Sequence, residues 1–368
     1  MLKSPLVNVE KSYNANLGSF ADWITPLDFG DPLGECRDVR NGVGVFDISH
    51  MGRILIKGGK AYEFLQKLVT RDLSRLRPGE MGGPALILNE FGGIKDDVMI
   101  YKLSDYEWLM VCNAVNREKD INWMLSMRDK LGFSSSDVVF EDLTTTSVLI
   151  AVQGPKSRDV LESLGVEGLK DLKLLNFITN VKIGTAKAFL LSRSGWTGEE
   201  VRSYGFEIWT DIPNGIEVYR TLIGSGVRPC GLVARDILRI EMGYVLYGND
   251  INEDVNPIEA RYWIALTRGK DDCIGCDKVW EVYGGGVSKF RVGFKLKKGI
   301  KLIPRYGYKI LAGEEVVGEV TSGAYSPTID RAIGMGYIKA SHTYLGFNLE
   351  LVVRGKKYEV KISDFPLI

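Results

Sequence analysis

Two adjacent acids, Asp96 and Asp97, are the side chains of this sequence best placed to do chemistry. They follow Gly92-Gly93-Ile94-Lys95 and lead into Val98-Met99-Ile100-Tyr101. Two glycines loosen the backbone and a β-branched and aromatic run follows, which reads as a tight turn feeding a strand. Side chains alternate across a strand, so Ile94, Asp96, Val98 and Ile100 share one face and Lys95, Asp97, Met99 and Tyr101 the other. Asp97 is therefore expected beside Tyr101, whereas Asp96 heads the apolar face and is expected to cap the turn. A carboxylate at a strand start beside an aromatic ring suits a flat, nitrogen-rich ligand or the handling of its proton. Two acids after two glycines are equally ordinary turn chemistry, and the segment by itself leaves both readings open.

Few other residue types compete for the role. The chain has only two histidines, His50 and His342, which argues against a histidine-driven mechanism or a multi-histidine metal site. Its five cysteines (Cys36, Cys112, Cys230, Cys273 and Cys276) in 368 residues make no disulfide framework. Cys273 and Cys276 form a C-x-x-C without a second pair or a nearby histidine to complete a zinc site, so a structural use and no metal are expected. With 47 basic and 47 acidic residues the net charge is zero, which argues against a broad nucleic-acid or membrane-surface footprint. No stretch approaches the roughly 20 apolar residues of a membrane span. Met1 to Pro5 has no secretory apolar core either, so a cytoplasmic protein is expected. At 368 residues with 45% apolar content, the chain can bury a large interior shared among two or three domains.

The elements that must hold the acids can be read in order. Arg53 to Gly58 is strand-like; a helix is expected over Ala61 to Leu76, ended by Pro78 and Gly79. The Gly82-Gly83-Pro84 break precedes a strand at Ala85 to Leu88, and Trp108 to Cys112 is another. Asn116 can cap a helix whose buried face carries Ile121, Met124, Leu125 and Leu131. A second sheet-and-helix run follows, with Ser147 to Val152 as a strand and Pro155 at a first helical position. Strands are expected around Val181 to Ile183, Ala188 to Leu191 and Phe206 to Trp209, with Glu207 projecting away from its two neighbours. The helix Leu232 to Met242 is expected to put Val233, Ile237 and Ile240 inward. Beyond about residue 285, six short strands divided by glycine turns predict a small antiparallel barrel.

Seven motifs then fall in one order along the chain: Val45-Phe46-Asp47-Ile48-Ser49-His50-Met51-Gly52, Gly92-Gly93-x-x-Asp96-Asp97, Gln153-Gly154-Pro155, Gly195-Trp196-Thr197-Gly198-Glu199, Gly231-Leu232-Val233-Ala234-Arg235-Asp236, Tyr247-Gly248-Asn249-Asp250 and Thr321-Ser322-Gly323. Together they resemble the aminomethyltransferase family, the T-protein of the glycine cleavage system. The resemblance implies an α+β fold of three domains in a cloverleaf around a central tetrahydrofolate site. Two would be α+β domains, formed by residues 1–52 with 140–284 and by 53–139, and the third a C-terminal antiparallel β-barrel at 285–368. It implies an enzyme that releases ammonia from the aminomethyl-lipoyl arm of the H-protein and passes the methylene carbon to tetrahydrofolate. Asp97 matches the family's functional carboxylate, Glu207 the glutamate that grips the pterin, and Arg235 an arginine near the folate. A carboxylate can accept the two parallel N–H groups of a pterin edge much as it accepts arginine's fork. Tyr101, Asn113, Trp196 and Met51 would line the pocket, with Tyr101 and Trp196 offering rings for stacking.

This chain departs from the family pattern in three places. Trp196 stands where the family has tyrosine, about four extra residues near Val201 to Tyr204 precede Glu207, and the end, Asp364-Phe365-Pro366-Leu367-Ile368, lacks the family's folate-reaching tail. Any tail contact is expected to be lost or to come from elsewhere, for example Arg354. Two alternatives share the fold: another folate-dependent one-carbon transferase or demethylase, and a non-catalytic folate-binding protein for iron-sulfur assembly. The first is commonly fused to a flavin domain, and no Gly-x-Gly-x-x-Gly fingerprint is present. The second resembles a Lys-Gly-Cys-x-x-Gly-Gln-Glu signature, where this chain reads Lys270-Asp271-Asp272-Cys273-Ile274-Gly275-Cys276-Asp277.

Overall fold

Strand alternation is the rule that builds the part of the molecule holding Asp97. The computed structural model describes residues 1–368 and divides into two units, one of residues 1–87, 95–235 and 265–274, the other of residues 88–94, 236–264 and 275–368. The first unit contains two large sheets. One has six strands in the order Phe177–Ile183, Ala186–Ser192, Gly205–Asp211, Ser147–Gln153, Gly44–Asp47 and Arg228–Cys230, antiparallel except for the last pair. The other has five, in the order Met81–Leu88, Ile94–Lys102, Glu107–Cys112, Gly52–Lys57 and Val139–Asp142.

Each sheet buries one face under helices. In the six-stranded sheet Ile150, Val152, Phe206 and Ile208 pack with Val218 and Leu222 of the helix Ile212–Gly224 and Leu161 of the helix Ser157–Ser163. In the five-stranded sheet Ile54, Ile56, Val98 and Ile100 pack with Phe64, Leu65 and Leu68 of the helix Ala61–Leu68 and Met124 and Met127 of the helix Arg117–Lys130. Period-two alternation then turns Asp97 and Tyr101 on one sheet, and Glu207 on the other, away from those helices. The opposite faces are not wet, since Asp97, Met99, Tyr101 and Glu207 are all buried. The sheets cover each other there, with Tyr101 against Phe177 at 5.6 Å and the Phe177 amide bonded to the Gly79 carbonyl at 2.8 Å.

The second unit contains a closed barrel of six antiparallel strands in the order Lys289–Leu296, Arg331–Lys339, Glu315–Ser326, Lys309–Ala312, Asn348–Val353 and Lys356–Ser363. Its interior holds Phe294, Val320, Ile338, Leu351 and Val360. The predicted α+β class and terminal barrel are what the chain forms. No helix is long and apolar enough to cross a membrane. Cys36, Cys112 and Cys230 are buried free thiols, whereas Cys273 and Cys276 are disulfide-bonded.

Several local expectations give way to tertiary contacts. The helix from Ala61 stops at Leu68 instead of Leu76 because Val69 turns extended and Thr70 bonds across the fold, its amide to Leu86 O at 3.1 Å and its hydroxyl to Ala265 O at 2.6 Å. Gly82-Gly83-Pro84 lies inside the strand Met81–Leu88. That strand is a sheet edge, where the amide that proline lacks is not missed. Leu125, Leu131 and Val233 are exposed, while Asp120 takes a buried place on the helix Arg117–Lys130. The helix after Pro155 begins at Ser157, which puts the proline just ahead of the first turn.

Candidate active site

The strand Ile94–Lys102 delivers Asp97 to the region between the sheets, and its neighbour Glu107–Cys112 ends where Asn113 can hold it. Asn113 Nδ2 lies 2.7 Å from Asp97 Oδ1 and 2.7 Å from Asp96 Oδ1, so the two amide hydrogens bridge the two acids. Asp96 also accepts from the Asn113 amide at 3.0 Å and from Asn116 Nδ2 at 2.6 Å. The turn before the strand is capped instead by Asn89, whose Oδ1 accepts from the Phe91 and Gly93 amides. Asp96 is therefore not the turn cap the sequence suggested, and Asn116 makes no side-chain cap for the helix it precedes. Both are withdrawn from local roles because a fully buried carboxylate needs donors. Burial pushes the Asp96 carboxyl above the ordinary range, against the donors around it, and burial followed by the Asp96 charge pushes Asp120 further up.

Glu207 occupies a central strand, opposite Ser192 on one side and Ala151 on the other. It is 6% exposed. Its Oε2 accepts from Ser194 Oγ at 2.7 Å and from the Tyr101 hydroxyl at 3.4 Å, while no protein group donates to Oε1. Burial raises its pKa; the Ser194 hydrogen bond and the charge of Arg235 act in the other direction. Tyr101 is buried on Phe177, so what it offers is a hydroxyl aimed at Glu207. Burial and the Glu207 charge push its own ionisation far up, so it acts as a neutral donor.

The Gly195-Trp196-Thr197-Gly198-Glu199 loop is built around Gln153. Its Nε2 donates to Ser194 O and Phe206 O, both at 3.1 Å, and its Oε1 accepts from Thr197 Oγ1 at 2.8 Å. A Cβ at Gly195 or Gly205 would stand 2.1 or 2.5 Å from Gln153 Oε1, so both positions need glycine for close approach. Glu199 pairs with Arg40 at 2.8 Å and accepts from Ser203 Oγ at 2.5 Å. Ahead of Glu207 the chain forms the short helix Glu199–Arg202, and the Tyr204 ring lies 4.7 and 4.8 Å from the guanidinium groups of Arg158 and Arg193. Trp196 is half-buried on this loop.

The turn after the strand Gly44–Asp47 carries His50 and Met51. Arg53, itself fully buried, clamps it by donating to Ser49 O at 3.1 Å and Met51 O at 2.5 Å, and it reaches Ser147 Oγ at 2.9 Å, Ser147 O at 3.1 Å and Thr144 O. His50 is 1% exposed, its ring edge-on to Phe20 at 5.4 Å, and neither ring nitrogen has a protein partner. Burial, with Arg235 and then Arg53 adding repulsion, pushes its pKa down to about 3, so the ring is neutral. Met51 and Arg235 are half-buried.

Sequence reasoning gave no role to Ser194, Gln153, Arg53 or Asp120. Gln153 stood inside a quoted motif and Ser194 beside one, and both could have been taken with them. Arg53 and Asp120 had no such signal, because a charged residue in a strand or helix reads as solvent-facing until its surroundings are known.

Residues 6–270 match the GCVT N-terminal domain and residues 289–368 the glycine cleavage T-protein C-terminal barrel domain. The chain belongs to the glycine cleavage T-protein family. Relatives in this family include the aminomethyltransferase of Halothermothrix orenii, 38% identical with 100% of both chains covered, and the probable aminomethyltransferase of Aeropyrum pernix, 37% identical over 99% of this chain and 96% of that one. The crystal structure of the glycine cleavage system aminomethyltransferase T from Bartonella henselae superposes with a TM-score of 0.90 at 32% identity, covering 100% of this chain and 98% of that chain.

Proposed function

We propose that this T-protein family member is an aminomethyltransferase in which Asp97 and Glu207 divide the work on a folate between the two sheets. The chain is a transferase of glycine cleavage. The finer reading is that it releases ammonia from the aminomethyl-lipoyl arm of an H-protein and hands the methylene carbon to tetrahydrofolate. The observation that carries this reading is the Tyr101–Glu207 hydrogen bond at 3.4 Å. It joins the strand of Asp97 to the strand of Glu207, so the two carboxylates belong to one constellation.

The buried residues fit a reduced pterin. Glu207 is 6% exposed, with one oxygen anchored by Ser194 and Tyr101 and the other without a protein donor. An N–H pair on a flat ring supplies the missing donors. Tetrahydrofolate, when bound, supplies the nitrogens that receive the carbon. Asp97, 6% exposed and held by Asn113, accepts the proton shed by the attacking nitrogen and faces the cationic character that develops as ammonia leaves. Arg235 favours the ionised form of Glu207. Met51 and Trp196 offer a thioether and an indole face to the aromatic ligand.

The test is ammonia release from aminomethylated, lipoylated H-protein with and without tetrahydrofolate, for the intact chain and for Asp97→Asn. Folate should stimulate release, and the substitution should lower the stimulated rate by about tenfold or more. Equal rates would remove Asp97 from catalysis. An absence of release from the intact chain would favour the binding-protein alternative.

A further inference from the structure

Asp120 lies outside the reading above, on the helix Arg117–Lys130, and the charge balance around it is unusual. It is buried, and no N–H or O–H group of the protein is directed at either of its carboxylate oxygens. Polar atoms of Asp120, Asp96 and Cys112 lie within 4.8 Å of one another. Asp96 accepts three N–H bonds from Asn113 and Asn116, as an ionised carboxylate does. Two bare carboxylates at this separation in a dry site would repel strongly, and the arrangement that satisfies both is a shared proton. Burial and the nearby acids also push the Cys112 thiol upward.

We propose that Asp120 is a positioning residue: its protonated carboxyl donates to Asp96, fixes Asp96 as the acceptor for Asn113, and so sets the Asn113 amide that holds Asp97. The inference rests on Asp97 acting as read above. The chain runs from Asp120 to Asp96, whose carboxylate oxygens approach within 4.8 Å, then from Asp96 Oδ1 to Asn113 Nδ2 at 2.7 Å, and from the same nitrogen to Asp97 Oδ1 at 2.7 Å. Without the proton, Asp96 carries an unshared charge and draws the Asn113 amide toward itself at the expense of Asp97. The charged or titratable groups facing this cluster are Lys95, Lys119, Cys112, Arg117, Asp142 and Asp97. Of these, Lys119 donates to Lys95 O at 2.7 Å and the Lys95 ammonium lies over the Trp123 ring at 4.5 Å.

The experiment compares the full-length chain with Asp120→Asn, which keeps a neutral donor, and Asp120→Ala, which removes it. It reads the pH profile of folate-stimulated ammonia release and the Tm from pH 5 to 8. Asp120→Asn should stay within about threefold of the intact chain. Asp120→Ala should lower kcat by about fivefold or more and move the acid limb up by about one pH unit, because Asp97 loses a donor to its charged form. The intact chain should lose Tm relative to Asp120→Asn as pH rises, since it holds a proton on folding that the amide does not need. Equal rates and profiles for the two variants, or parallel Tm curves for the intact chain and Asp120→Asn, would overturn the proposal. If the intact chain releases no ammonia, the transferase reading fails on its own, and the Tm comparison still decides whether Asp120 is protonated.

Discussion

Replacing Glu207 by glutamine separates binding from stability, because the two depend on opposite properties of the same carboxylate. Burial raises the pKa of Glu207, so the folded protein bears a cost for keeping this acid ionised. Glutamine removes that cost and keeps an acceptor for Ser194 and Tyr101, so Tm should be equal to or above that of the intact chain. The sign with pH follows from the raised pKa of Glu207. The native state holds a proton the unfolded chain releases, so the wild-type carboxyl is no handicap below about pH 4 and becomes one as pH rises through its folded pKa. The Tm advantage of Glu207→Gln should therefore be absent in acid and present at neutral pH. Ligand affinity should move the other way. Hydrogen bonds to a charged acceptor contribute about 1.5–3 kcal/mol, so tetrahydrofolate Kd should rise roughly 10- to 150-fold. Titration by calorimetry under reducing conditions, with Tm on the same samples, reads both. Unchanged affinity, or a loss of affinity accompanied by a fall in Tm at neutral pH, would refute the assignment of Glu207 to the ligand.

Further outcomes follow from the same geometry. Arg53→Met should cost about 3–5 kcal/mol in urea unfolding, because it strands the carbonyls of Ser49, Met51, Thr144 and Ser147 that one buried guanidinium satisfies. Ser194→Ala should weaken folate binding by about 1 kcal/mol, and Tyr101→Phe by less, since the tyrosine contact to Glu207 is 3.4 Å against 2.7 Å for the serine. The reverse order in a direct Kd comparison would mean that Tyr101, not Ser194, sets the carboxylate. Gly195→Ala should displace Gln153 and lower Tm by several degrees, because its Cβ would sit 2.1 Å from the Gln153 oxygen. An unchanged Tm would show that the loop yields at little cost.

Much of this arrangement was legible before folding was considered, and the misses share a cause. The faces of the strand around Asp97, and the outward turn of Glu207 from Phe206 and Ile208, follow from two-residue alternation alone and stand in the structure. Asp96 and Asn116 were expected as local caps that they do not make, and Thr70 leaves the helix expected over Ala61 to Leu76. Each finds its partners on another element, Asn113 for Asp96, Asp96 for Asn116, and Ala265 with Leu86 for Thr70. A cap or turn bond contributes about 1 kcal/mol, less than an unsatisfied buried polar group costs, so the longer-range bond wins wherever folding removes the water.

What the sequence by itself determined is the alternation that faces each strand, the glycines that allow close approach, the barrel hairpins and the ordered motifs that place the chain in its family. These depend on residue type and spacing along the chain. Only the tertiary structure decided which acids are dry, that Ser194 and Tyr101 hold one oxygen of Glu207 and leave the other, and that Asn113 stands between Asp96 and Asp97. Those are properties of what surrounds a side chain, and the surroundings come from residues far away in the chain, 106 positions between Tyr101 and Glu207. Charge state follows the dielectric and the donors that packing supplies, which is why the chemistry of these carboxylates could be named from their spacing but not assigned to particular oxygens.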